Sequence, residues 1–298
     1  MRWLKLIALL SLWPLFFVLV VLVHLGTSLF RLPRRWRIVS RLSNRLAILW
    51  RGLLNIKIVL EGDGDCLKSG GHFIISNHLG YIDGIVLGSI FPVIYVSKRE
   101  VRRWHVIGQW TALIGTIFVD RQRKDKILQA VGEIAAKLNQ KANVLVFPEG
   151  TSTNGERLLP FQSAFFAAPL AARAVVVPVT LTYRRINQQP LSEANRDRVY
   201  WYGGMNFVSH FWDLLGIRRI EVSVKVHPRI DTSDVRNSSR SRKELSQTCH
   251  AIIAADPNLG ARTDRRTGQT PLLPARLQGG VTNLLGPLRH NSLNVNSK

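Results

Sequence analysis

A histidine and an aspartate five positions apart, His78 and Asp83, stand in the stretch Asn77-His78-Leu79-Gly80-Tyr81-Ile82-Asp83. An imidazole accepts a proton from a hydroxyl when a carboxylate holds its other ring nitrogen, which fixes the tautomer and stabilises the imidazolium that forms. The pair suits a general base with its orienting acid, although a helix-capping aspartate beside a turn histidine has the same spelling. The preceding Phe73-Ile74-Ile75-Ser76 is short, apolar and partly β-branched, which predicts a buried strand leading into a strand-to-helix turn at His78. In an open α/β sheet that edge is where ligands bind.

Two further segments repeat the plan. Asn143-Val144-Leu145-Val146-Phe147 reads as a buried strand and runs into Pro148-Glu149-Gly150-Thr151-Ser152-Thr153, where glycine lets backbone approach a ligand and three hydroxyls can bond oxygens. Gly115-Thr116-Ile117-Phe118-Val119-Asp120-Arg121 ends on a guanidinium, a group suited to phosphate or carboxylate. Three strand ends thus offer a base, an oxygen-binding loop and an anion clamp.

Taken together, Asn77-His78 with Asp83, Gly115 with Phe118 and Arg121, Phe147-Pro148-Glu149-Gly150-Thr151, and Val177-Pro178-Val179 resemble the four motifs of the lysophospholipid acyltransferases in order and approximate spacing, over roughly residues 50 to 230. That family is best known from 1-acyl-glycerol-3-phosphate acyltransferase. The resemblance implies transfer of a fatty acyl group from a thioester, on acyl-CoA or acyl-carrier protein, to the free hydroxyl of a lysolipid acceptor, with no metal and no cofactor. It implies His78 as general base, Asp83 as its partner, and Arg121 with Glu149, Gly150 and Thr151 as the residues that hold the acceptor head group. The acceptor it points to first is 1-acyl-glycerol-3-phosphate. Two departures bear on this. Gly80 stands where the family commonly has serine, which removes neither acid-base partner. Ser152 stands where arginine often follows the threonine, so one cation expected beside a phosphate is missing and a zwitterionic acceptor such as lyso-ornithine lipid becomes the alternative, unless Lys98 or Arg157 supplies the charge.

The chain has 41 Lys plus Arg against 19 Asp plus Glu, a formal net charge of +22, which points to nucleic acid or an anionic membrane. No acid precedes Glu61, and the cations before it interleave with an apolar run: residues 6 to 30 carry no charge. A helix of that length crosses a ~30 Å hydrocarbon core at ~1.5 Å per residue. Its apolar stretch is longer than the roughly 7 to 15 residues of a signal peptide. It is therefore read as a membrane helix, with an interfacial or re-entrant helix bent at Pro14 as the alternative. Arg31, Arg34, Arg35 and Arg37 follow at once, and the positive-inside tendency places the catalytic body on the cytoplasmic side of the inner membrane. From Trp36 to Leu54 apolar residues recur at helical spacing with arginines between them, as in a basic amphipathic helix that lies in the headgroup layer or docks on the protein's own core. Membrane is the expected partner and nucleic acid is not.

Beyond Asn55 strands and helices alternate. Strands are expected at 56–60, 73–76, 93–96, 116–119, 144–147, 175–181 and 221–226, and a helix at 124–139 with Ile127, Leu128, Val131, Ile134, Ala135 and Leu138 on one face. The pattern predicts an α/β fold with a mostly parallel central sheet flanked by helices. The domain plan is membrane-anchoring helices over 1–54, an acyltransferase α/β domain over 55–256, and a flexible tail over 257–298. Ser97-Lys98-Arg99-Glu100 has the form of a capping box. The aromatics Trp201, Tyr202, Phe207, Phe211 and Trp212 have three readings: an acyl pocket, a membrane contact or core. Cys66 and Cys249 are too few for a zinc cage or a disulfide framework, and there is no Gly-x-Ser-x-Gly, Walker or His-Glu-x-x-His motif. A reading of another class is a non-catalytic basic binder of membrane or nucleic acid.

Overall fold

The computed structural model describes residues 2–30 and 35–259. All seven expected strands are present, with one short addition, in a single eight-stranded sheet. They are β1 (Ile56–Glu61), β2 (Phe73–Ser76), β3 (Val93–Lys98), β4 (Ile117–Val119), β5 (Asn143–Val146), β6 (Val176–Ile186), β7 (Gln189–Pro190) and β8 (Ile220–Val226). The order across the sheet is β1-β8-β6-β2-β5-β3-β4, with β7 paired to β6. Only β6 runs antiparallel to partners, to β7 and β8, so the sheet is mostly parallel.

The central strands β2 and β5 are buried at every residue, as near-continuous apolar runs require when helices cover both faces. Ile74 and Val177 belong to the core on one face, Phe73, Ile75 and Val144 to the core on the other. Burying a side chain of this size contributes ~1.5–3 kcal/mol. The covering helices are α3 (Ile82–Ile90), α4 (His105–Leu113), α5 (Lys124–Asn139), α6 (Ala167–Ala172), α7 (Phe207–Leu215) and α8 (Ser239–Ala254), preceded by α1 (Arg2–Leu29) and α2 (Arg35–Leu53). Ser97 does not cap a helix. The ladder of β3 extends through it, Ser97 pairing Phe118, and the short 3-10 turn that follows carries no side-chain cap.

The two N-terminal helices are packed on the body. In α2, Val39, Ser43, Leu46 and Ala47 are buried, while Arg35, Arg41 and Arg45 point outward, so its apolar stripe docks on protein and its basic face does not. Asn44 Nδ2 donates to Gly88 O of α3 (2.7 Å). One stripe of α1, with Leu9, Phe16, Val20 and Thr27, is buried. Lys5 Nζ donates to Ile217 O (2.7 Å) near one end, and His24 Nε2 donates to Leu113 O (2.7 Å) near the other. The opposite face exposes Leu4, Ile7, Leu15, Leu22, Leu25 and Leu29.

Gly115, part of the second motif, supports this packing. Its φ is +84°, and an added Cβ would collide with the Trp36 ring of α2. Lys137 Nζ donates to its carbonyl (2.7 Å) and sits 3.5 Å from the centroid of the same ring.

Candidate active site

β2, β5 and β4 place their carboxyl ends along one edge of the sheet, and each delivers one of the expected groups. After β2, Asn77 staples the turn to β6: its Nδ2 donates to Leu181 O (2.9 Å) and its Oδ1 accepts from the Leu181 N–H (2.8 Å). His78 comes next. Its Nδ1 lies 2.9 Å from Asp83 Oδ2. An ionised carboxylate only accepts, so in the neutral ring Nδ1 carries the proton and Nε2 keeps its lone pair.

Asp83 sits in the first turn of α3 and is fully buried. The same Oδ2 accepts from the Leu79 N–H (2.6 Å) and the Gly80 N–H (2.9 Å), while Oδ1 accepts from the Tyr183 hydroxyl (2.8 Å). Four donors replace the water that burial removes from this carboxylate. Burial holds the Tyr183 phenol far above its ordinary range, so it remains a donor. The imidazole also stacks on Phe147, with centroids 4.1 Å apart at 14°.

The loop after β5 clasps the loop after β2. Glu149 is buried; its Oε1 accepts from the His78 N–H (2.8 Å) and its Oε2 from the Leu159 N–H (2.9 Å). Burial pushes its carboxyl up to about 7, against the pull of those two N–H donors and with a smaller push from Asp83. The Thr153 N–H in turn donates to His78 O (3.0 Å). Gly150, at φ +80°, is required by more than backbone: an added Cβ would run into the Gln162 amide nitrogen and lie 3.0 Å from Arg121 Nη1. Arg121 thus reaches across to the β5 loop.

His78, Arg121, Gly150, Thr151 and Ser152 line one cavity of about 650 Å³. Lys98 is on its wall and Arg157 is not. Glu149 turns both oxygens to backbone N–H groups instead. The apolar part of the cavity is walled by Leu6, Leu9 and Trp13 of α1, Leu46 and Trp50 of α2, and Trp110 of α4. Trp201, Phe207 and Phe211 also line it, whereas Trp212 packs on Trp3 of α1. Among the described residues no group of three His, Cys, Asp or Glu is placed to hold a metal ion.

Sequence reasoning missed Tyr183 and the walls supplied by α1 and α2. Tyr183 was reachable in part: it continues the alternate buried positions 179 and 181 of β6, which end against Asp83. The α1 wall had only a sparse signal: on an otherwise apolar helix, Lys5, His24 and Thr27 fall on the side that meets protein.

Comparison with known proteins identifies the family. The chain matches the Acyltransferase family over residues 57–182. It is 32% identical over 189 residues to the lyso-ornithine lipid O-acyltransferase of Brucella abortus (strain 2308), covering 61% of this chain and 69% of that protein. To the 1-acyl-sn-glycerol-3-phosphate acyltransferase of Neisseria gonorrhoeae it is 22% identical over 189 residues, covering 63% and 72%. Its fold is shared with the crystal structure of the 1-acyl-sn-glycerophosphate acyltransferase of Thermotoga maritima, at TM-score 0.53 and 18% identity over 85% of this chain and 95% of that one. The chain belongs to the lysophospholipid acyltransferase family and is an O-acyltransferase.

Proposed function

We propose that His78 Nε2 removes the proton from the free hydroxyl of a lysolipid as that oxygen attacks the carbonyl of an acyl thioester. The tetrahedral intermediate collapses to the new ester, and the proton on His78 passes to the departing thiolate. The observation that carries this is the His78–Asp83 pair, held by four donors on the acid and opening onto a cavity shared with Arg121. Asp83 and Tyr183 position the ring, Glu149 positions the His78 backbone, and Arg121 with the 150–152 loop holds the anionic part of the acceptor.

The acceptor we infer is lyso-ornithine lipid. Relatives of that name are 30–34% identical, against 22–29% for 1-acyl-sn-glycerol-3-phosphate acyltransferases, and Ser152 removes a cation that a phosphate would use. This reverses the order expected from the motifs alone. Acyl-carrier protein and acyl-CoA both fit as donors, since each brings anionic groups to the exposed Lys98, Arg102 and Arg103 at the rim. The purified chain, given each acceptor with each donor and followed by lipid mass spectrometry, should acylate lyso-ornithine lipid. Turnover confined to 1-acyl-glycerol-3-phosphate would restore the original order.

The membrane reading follows from α1, which is long and apolar enough to cross a bilayer. Two of its bonds to the body, at Lys5 and His24, are ~28 Å apart at ~1.5 Å per residue. Were α1 upright in the ~30 Å core, the body alongside would be in hydrocarbon with it. We therefore infer that α1 lies along one leaflet, its exposed leucines among the acyl chains. The arginines of α2 favour the anionic cytoplasmic face of the inner membrane.

A further inference from the structure

The cavity wall beside the catalytic loop is aromatic, and its construction is specific. The Trp201 N–H donates to Leu79 O (2.9 Å), one residue from His78. That approach needs Gly80, since a Cβ there would lie 2.9 Å from the same nitrogen. Trp201 and Trp104 meet at 90° with centroids 6.0 Å apart, and Phe207 closes the corner at 5.2 Å from Trp104 and 6.3 Å from Trp201. Tyr81 stands 5.1 Å from Phe207 and 5.9 Å from Trp201, its hydroxyl fixed 2.8 Å from His210 Nδ1. All four rings line the cavity with His78 and Arg121.

Among the described residues that cavity has no carboxylate on its wall; its lysine and arginine side chains are Lys98 and Arg121. Glu100, exposed on the rim, is the acid whose field reaches Arg121. An acceptor head group that carries a carboxylate and an ammonium therefore meets a guanidinium for the first and no acid in the pocket for the second. Beside the hydroxyls of the wall, perpendicular indole faces are a partner for a cation, and tryptophan offers the most negative ring face.

We propose that Tyr81, Trp104, Trp201 and Phe207 form a box for the ammonium of a zwitterionic acceptor, while Arg121 takes its carboxylate. The box selects such acceptors over purely anionic ones. It rests on the lyso-ornithine reading above.

The test uses the purified full chain in mixed micelles, with lyso-ornithine lipid and the same lipid acetylated on its free amine. Acetylation should raise the wild-type KM about tenfold. Trp104→Leu and Trp201→Leu should each raise KM for the free-amine lipid about tenfold more than for the acetylated one. Trp104→Phe and Trp201→Phe, which keep a ring and the packing, should fall between. Equal KM rises for both lipids would show that the rings hold the acyl chain, and overturn the box. So would Glu100→Gln reproducing the loss while the tryptophan variants behave as wild type. A wild-type chain inert toward lyso-ornithine lipid yet active on 1-acyl-glycerol-3-phosphate sinks the acceptor reading and the box together; turnover of lyso-ornithine lipid with no effect of acetylation sinks the box alone.

Discussion

His78 and its neighbours make the sharpest predictions. His78→Ala removes the proposed proton acceptor and should lower kcat by about 10²–10⁴-fold, read by single-turnover acyl transfer with binding to vesicles retained. Tyr183→Phe deletes one of four donors on the buried Asp83 carboxylate. That costs about 1.4 kcal/mol of positioning, or about tenfold in kcat, with KM unchanged; a wild-type kcat would remove Tyr183 from the assembly. Glu149 ties the site to pH through stability. In the unfolded chain it ionises near its ordinary value of 4.5, in the folded chain at about 7. Between these values the folded state holds the extra proton, so stability is lost as pH rises through that window, by about 3 kcal/mol in all. Glu149→Gln cannot ionise, and its Tm should vary less than the wild type's from pH 4.5 to 7. Parallel Tm curves for the two proteins would mean that the carboxyl titrates as it does in water.

Elements were legible in the sequence to unequal degrees. The strands that carry the site were plain because β2, β4 and β5 are short apolar runs that end in polar turns, and period alone finds such runs. α2 was placed within a residue of Arg35–Leu53 because its arginines alternate with an apolar stripe. α1 was legible as a helix and not as a wall: in an apolar run that suits a membrane, Lys5, His24 and Thr27 are too few to distinguish the stripe that meets protein. The contacts of Asp83 with Tyr183 and of Gly80 with Trp201 join residues more than a hundred positions apart or nearly so, and no local pattern encodes them. The lie of α1 can be checked directly. With Cys66 and Cys249 replaced, a fluorophore on a single cysteine at either exposed position, Leu4 or Leu29, should be quenched by nitroxide lipids confined to the leaflet that the protein binds. Quenching of one position and not the other would establish a crossing helix.

Across the whole molecule, charge and apolar surface act on the same partner by different laws. On the proposed membrane reading, the excess of +22 would draw the protein to anionic lipid over a screening length of ~8–10 Å, whereas the leucines of α1 would hold it once it has arrived. Arg41→Gln with Arg45→Gln should weaken binding to anionic vesicles by about 1 kcal/mol per arginine and leave binding to zwitterionic vesicles unchanged. Flotation assays at low and high salt would measure both. An equal loss on the two vesicle types would assign those arginines to the fold instead.

Leu6, Leu9, Leu10 and Trp13 of α1 also stand on the wall of the cavity, so if α1 lies in the leaflet as proposed, a substrate that enters past them arrives by sideways diffusion in a two-dimensional film. The quantity that sets the rate is then the surface mole fraction of acceptor. Inert detergent added at constant bulk substrate would slow the enzyme by dilution alone, and the diacylated product would return to the sheet of lipid from which its precursor came.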